Sequence, residues 1–257
     1  MLILLSPAKS LDFSAAPAGL PVTQPEFTKD IRLLLKECRK LDSAALQKLM
    51  KISPKLAELN YERFRDMRLP FTKGNSKACV LAFTGDVYRK LDAPSLTKRD
   101  LTWAQSRLRI LSGFYGLLRP LDLIQPYRLE MGSRLENPRG KDLYAFWGDR
   151  LVDQLNAEHA KRRVPAVLNL ASNEYFKAVP ERRLKPRCVT AVFQEIRDGK
   201  PKTIGLYAKR ARGLMARFVI ANRIQSPEGL EAFAEDGYRF RPGLSVEDRM
   251  VFTRKAA

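Results

Sequence analysis

Short apolar runs bounded by polar or turn residues recur along the chain, at Leu2–Leu5, Ala78–Phe83, Val167–Leu170, Cys188–Phe193, Thr203–Tyr207 and near Met250–Thr253. Runs of this length, rich in branched side chains, predict buried strands. Between them, the residue pattern predicts helices over Glu26–Leu41, Ser43–Met50, Pro54–Arg65, Arg99–Leu108, Asp142–Lys161 and Lys209–Ile224. In the helix from Asp142, Leu143, Phe146, Trp147, Leu151 and Leu155 keep to one side, as an amphipathic helix requires. Alternating elements point to an α/β fold: a single mixed-sheet domain over residues 1–257, with a helical lobe at 26–67 inserted after the first strand. No repeat, low-complexity tract or long linker interrupts it. The one loop-like run of small residues and prolines is Ala15 to Pro21.

Inside the lobe, Leu49-Met50-Lys51-Ile52-Ser53-Pro54-Lys55-Leu56-Ala57 reads as a tight hairpin between two short helices. Ser53 suits an N-cap, and Pro54 sits where a first-turn proline costs nothing. The N–H groups that follow lack intrahelical partners and carry the positive end of the helix dipole, a ready site for a phosphate oxygen. Lys51 and Lys55 flank it. Two packed helices joined by a plain turn are the structural alternative.

Composition sharpens this reading. Forty-five per cent hydrophobic residues in 257 support a substantial core. Against 47 Lys+Arg stand only 28 Asp+Glu, a formal net charge of +19. Such an excess favours a polyanionic partner, with a generic basic surface as the alternative. Leu2-Ile3-Leu4-Leu5 is too short for the apolar core of a signal peptide and lacks preceding basic residues, so no membrane segment is expected. Cys38, Cys79 and Cys188 are odd in number and in no metal-ligand spacing. They predict buried, reduced thiols and a cytoplasmic location.

Positive charge gathers between Arg182 and Arg217, where Glu195 and Asp198 are the only acids after Arg182. Within it Lys209, Arg210 and Arg212 are expected near a helix N-terminus, opposing its dipole, a conflict that a bound anion would relieve. Arg119 and Arg128, in a stiff proline-punctuated loop, either clamp a phosphate or pair with the nearby Asp122 and Glu130. Strand ends would gather Lys9, Asp86, Asn173, Glu174 and Lys177 at the mouth of a cleft. If that cleft is catalytic, Asp86 or Glu174 is the candidate acid/base and Lys9 or Arg128 the anion clamp, acting on a nucleotide, nucleobase or other anionic substrate. Nothing else suggests catalysis. The sole histidine, His159, reads as a surface residue, and no nucleophile–histidine pair, metal-ligand spacing or phosphate-binding glycine loop is present. No metal or other cofactor is expected.

Several blocks carry a family resemblance: Leu5-Ser6-Pro7-Ala8-Lys9, Phe83-Thr84-Gly85-Asp86-Val87-Tyr88, Leu118-Arg119-Pro120-Leu121-Asp122, Gln125 to Gly132, Asn169-Leu170-Ala171-Ser172, and Tyr207-Ala208-Lys209 with Ala211 to Met215. Together they resemble the bacterial YaaA peroxide stress resistance family, from Met1 to about Phe252. The resemblance implies a cytoplasmic protein that limits oxidative damage and is linked to keeping intracellular free iron low. It also implies a helix-hairpin-helix element and a positively charged cleft that binds DNA. Hairpin amides and cleft cations that neutralise phosphates predict double-stranded DNA binding with little sequence preference. Carried onto this chain, the hairpin falls on Leu49 to Ala57, with Lys51 and Ser53 where glycine is usual. The cleft falls on Lys9, Arg128, Lys177, Lys209, Arg210 and Arg212.

Overall fold

The computed structural model describes residues 1–15 and 19–256, so 16–18, inside the Ala15–Pro21 run, lie outside the described residues. The first strand, β1 (Leu2–Leu5), has no exposed side chain. Burying each such residue contributes roughly 1.5–3 kcal/mol. The lobe follows as α1 (Thr28–Cys38), α2 (Ser43–Met50) and α3 (Pro54–Asp66). After it come α4 (Asp86–Leu91), α5 (Lys98–Arg107), β2 (Leu108–Ser112) and β3 (Gly116–Leu118). Next are α6 (Leu143–Trp147), α7 (Arg150–Arg162), β4 (Ala166–Asn169), β5 (Arg187–Arg197) and β6 (Lys200–Lys202). The chain ends with α8 (Gly205–Ala221), β7 (Arg239–Phe240) and β8 (Arg249–Lys255).

These strands form one mixed eight-stranded sheet in the order β7-β8-β5-β4-β1-β2-β3, with β6 hairpinned onto β5. The strands from β8 through β2 run parallel, while β3, β6 and β7 are antiparallel to their neighbours. Leaving β1, the chain builds β2 and β3 on one side and then returns to β4 on the other. The sheet therefore has a topological switch at β1, and ligand crevices open outside the carboxyl ends of the strands at such a point.

Three predicted elements differ. Ala78–Phe83 is a single helical turn, Cys79–Ala82, between two two-residue strands. Its apolar side chains are buried as expected, but the flanking strands pair with Ser10–Leu11 and Leu123–Ile124 rather than joining the main sheet. Thr203–Tyr207 is not a strand. The strand stops at Lys202 and α8 has begun by Gly205, so Lys209 and Arg210 lie in the second turn and oppose the dipole less than their predicted place implied. The segment from Asp142 is two helices, because Gly148 takes φ 49°, a left-handed conformation that ends α6.

Four strands of the sheet were not expected from the sequence: the short β3, β6 and β7, and the longer, buried β2. Its second residue, Arg109, is fully buried, and its guanidinium is held by Glu158 (Nε to Oε1 2.7 Å) and by the carbonyls of Gln105 and Leu108. A buried charge tolerated only because it is paired breaks the apolar pattern by which a strand is recognised. All three cysteines are buried and free. Burial pushes the Cys188 thiol up to about 12, with Glu181 adding to it, so this sulfur is a thiol at neutral pH. His159 is half-buried rather than a surface residue, its Nδ1 2.7 Å from the Val164 carbonyl oxygen. Among the described residues no helix is long and apolar enough to cross a membrane.

Candidate functional site

Beyond β1 the chain continues as Ser6-Pro7-Ala8-Lys9, and beyond β4 as Leu170-Ala171-Ser172-Asn173. The two ends are tied together: the Ser172 amide donates to Ser6 Oγ at 2.9 Å, and Tyr88 Oη donates to the Ser6 carbonyl at 2.8 Å. Ser10 then pairs with Thr84, which brings Asp86 beside the same crevice. The loops carrying Ser6, Thr84 and Ser172 are thus held together.

Of the six cations expected here, Lys9, Arg128 and Arg210 are paired, while Lys177, Lys209 and Arg212 have no ion-pair partner among the described residues. Glu130 accepts Lys9 at 2.9 Å and Arg128 at 3.2 Å. Asp86 accepts Arg89 at 3.0 Å and Arg210 at 3.5 Å. Burial alone would raise the Asp86 pKa, but the hydrogen bonds and charges of Arg89 and Arg210 outweigh it and hold the carboxyl below its usual range. Asp86 is thus ionised at neutral pH and unsuited to general-acid work. Glu174 Oε1 accepts the Gly132 amide at 2.9 Å. Its backbone carbonyl accepts Tyr144 Oη at 2.9 Å, and Lys177 stacks its ammonium 5.0 Å over the Tyr144 ring. Asn173 is exposed.

Arg119 pairs with fully buried Asp122 at 2.9 Å and also donates to the Gln24 carbonyl, so of the two readings left open for it the structural one holds. Arg212 differs from its neighbours on α8. It shares the inward side of the helix with buried Ala208 and Met215, and its Nε is buried without a hydrogen-bond partner. Burial lowers its pKa. Lys209 and Arg210 lie on another side of α8, which touches α4 so closely that a Cβ on Gly213 would fall 2.0 Å from the Val87 carbonyl oxygen.

The hairpin has the opposite character. Ser53 caps α3 by accepting the Leu56 amide at 3.4 Å, with Pro54 in the first turn. Lys51 closes α2 in the left-handed conformation, φ 52° and ψ 52°. This is backbone that glycine would adopt at less cost. The amides of Lys51 and Ile52 turn back on the Gln47 carbonyl and that of Ala57 on Ser53. Among the described residues those of Ser53 and Lys55 have no partner, so two donors remain at the turn.

Lys48, Lys51 and Lys55 are exposed, and none has an ion-pair partner among the described residues. A cavity of about 650 Å³ opens beside Lys48 and Lys51, lined also by Ala45, Leu49, Gly132 and Arg134. Arg134 is exposed and likewise unpaired among the described residues. Gly132 is the residue whose amide binds Glu174, so hairpin and crevice share a border. Two members of this patch escaped the sequence reading. Lys48 lies one turn before Lys51 on α2, a spacing that could have identified it. Arg134 reaches the hairpin from a loop far along the chain and carries no local signal.

The model of a family described as "Peroxide stress protein YaaA" matches residues 1–244. The chain belongs to this family. A UPF0246 protein of Dechloromonas aromatica is 53% identical over 255 residues, which cover 99% of each chain. UPF0246 proteins of Burkholderia mallei and Burkholderia pseudomallei are 53% identical over 259 residues, covering 100% of this chain and 99% of theirs. The YaaA match covers both the hairpin and the crevice.

Proposed function

We propose that the protein binds double-stranded DNA through its phosphates, with little sequence preference, in the response to peroxide stress. The carrying observation is the hairpin patch: Lys48, Lys51, Lys55 and Arg134, exposed and unpaired among the described residues, beside the open Ser53 and Lys55 amides. Phosphate oxygens are suitable partners for each of these groups, and such contacts fix position without reading bases. An excess of cations over the whole chain steers the approach of a polyanion.

DNA binding gives a physical route to lower oxidative damage. Cations that neutralise phosphates release condensed counterions. Ferrous ions held at the duplex are among those displaced, and they are the ions that convert peroxide into hydroxyl radical where it harms bases. This route acts at the DNA surface and needs no resident metal. Among the described residues, no group of three or more His, Cys, Asp or Glu could hold one. The ionised Asp86, held by Arg89 and Arg210, weighs against a general-acid role for that carboxyl.

Duplex binding followed by fluorescence anisotropy across a salt series tests the reading. The double variant Lys51→Glu/Lys55→Glu should weaken binding and make the slope of log affinity against log salt shallower by about 2. An unchanged slope removes the hairpin from the interface.

A further inference from the structure

Strand β5 runs well past its neighbour. β4 pairs only with Arg187 to Thr190, whereas β5 continues to Arg197, seven residues and about 23 Å beyond that pairing. β8 accompanies it as far as Ile196. There the chain turns through Asp198 (φ 53°) and Gly199 (φ 71°), both left-handed, and returns as β6. Positive φ at both central residues is the two-residue hairpin geometry that matches strand twist. The result is a β-ribbon projecting from the carboxyl edge of the sheet, the edge that bears the crevice.

Its tip is basic and solvated. Lys200, Pro201 and Lys202 are all exposed, as is Lys255 at the end of β8. Antiparallel register sets Lys200 opposite Arg197 and Lys202 opposite Glu195, so Arg197, Lys200 and Lys202 share one face. Their acids are already committed. Glu195 is buried and takes Arg254 and Arg197, each at 2.8 Å. Asp198 lies 3.8 Å from Lys202 with both side chains in water, a contact worth little. Lys200 and Lys255 have no ion-pair partner among the described residues.

The base of the ribbon is stiff. Arg254, bound to Glu195, lies over the rings of Tyr207 and Tyr238, at 4.7 and 5.0 Å. Phe193 stacks on Phe252 across the β5–β8 pair. A charged arm held rigidly at its root loses little freedom on meeting a partner. Lysine and proline on an edge strand also block sheet-to-sheet pairing. That role needs no cations on Arg197 or Lys255 and no extension of β5 beyond β4.

We propose that the β5–β6 ribbon is a second phosphate-binding arm that lies along the duplex backbone, with Lys200 and Lys202, on one face, as its contacts. This rests on the DNA-binding function proposed above and adds a contact element remote in sequence from the hairpin. The test compares wild type with Lys200→Glu/Lys202→Glu and the milder Lys200→Gln/Lys202→Gln, using a short duplex and one twice as long. Far-ultraviolet circular dichroism and melting should be unchanged, because the altered residues are exposed. The glutamate pair should make the salt slope shallower by about 2 on the longer duplex, and the glutamine pair should move it the same way. Wild-type slopes in both ribbon variants, with the hairpin variant still defective, overturn the ribbon's role alone. Failure of wild type to bind near physiological salt overturns the DNA reading and the ribbon with it.

Discussion

The strand ends and the hairpin patch are both rich in lysine and arginine, yet among the described residues the first pairs part of its charge internally and the second pairs none. At the strand ends Lys177, Lys209 and Arg212 are left without an ion pair among the described residues. In the crevice Lys9 and Arg128 share Glu130, and Arg89 and Arg210 share Asp86. At the hairpin Lys48, Lys51, Lys55 and Arg134 have no carboxylate among the described residues. Internal pairing orders side chains and lowers the field that a crevice can project. Unpaired cations keep the whole of their attraction for an external anion. A count of basic residues therefore misjudges the two regions, because what binds phosphate is the charge left after internal pairing.

That contrast can be broken most severely at the hairpin. Reversing Lys48, Lys51 and Arg134 together to glutamate should cause the largest loss, with a salt slope shallower by about 3 in anisotropy titrations. If the matching triple reversal of Lys9, Arg128 and Arg210 costs as much, the distinction between paired and unpaired cations is wrong. Glu130→Gln sharpens it from the other side. Releasing Lys9 and Arg128 should tighten binding and steepen the slope by about 1–2, and weaker binding would contradict the pairing argument.

The smallest effect concerns acid. Asp86 has a folded pKa depressed below its ordinary 3.8, so the stability it contributes is complete above that value. It is lost as pH falls below 3.8 through the folded value, because the unfolded chain then takes up the proton first. Asp86→Asn should lower stability at pH 7 by less than about 1 kcal/mol. In thermal melts the gap to wild type should close as the pH falls toward 3. A gap that widens on acidification would show that Asp86 is not held ionised by its arginines.

The hairpin was the most legible part of the chain because its rules are local. A serine cap followed by proline fixes where α3 begins, and the structure starts it at Pro54. Strands β1, β4, β5 and β8 were legible because continuous apolar runs suit a parallel sheet covered on both faces. β2 was hidden by Arg109, whose partner Glu158 lies on α7 and cannot be inferred from neighbours in sequence. The single helix expected from Asp142 failed at Gly148, since an unbroken apolar stripe outweighed one glycine. Site residues divided the same way. The strand-end loops were visible in the sequence, but whether the cations near them were paired depended on contacts made across the fold. Arg134 joins the hairpin only through tertiary packing.

Lys51 holds two requirements in tension at one residue. Its left-handed backbone is a conformation that costs an L-residue about 1–2 kcal/mol, and glycine would remove most of that strain. Glycine would also delete a cation from the rim of the cavity shared with Gly132 and Arg134. The hairpin turn is therefore tuned away from its most relaxed sequence, and thermal robustness and grip on a polyanion are opposing optima at this position.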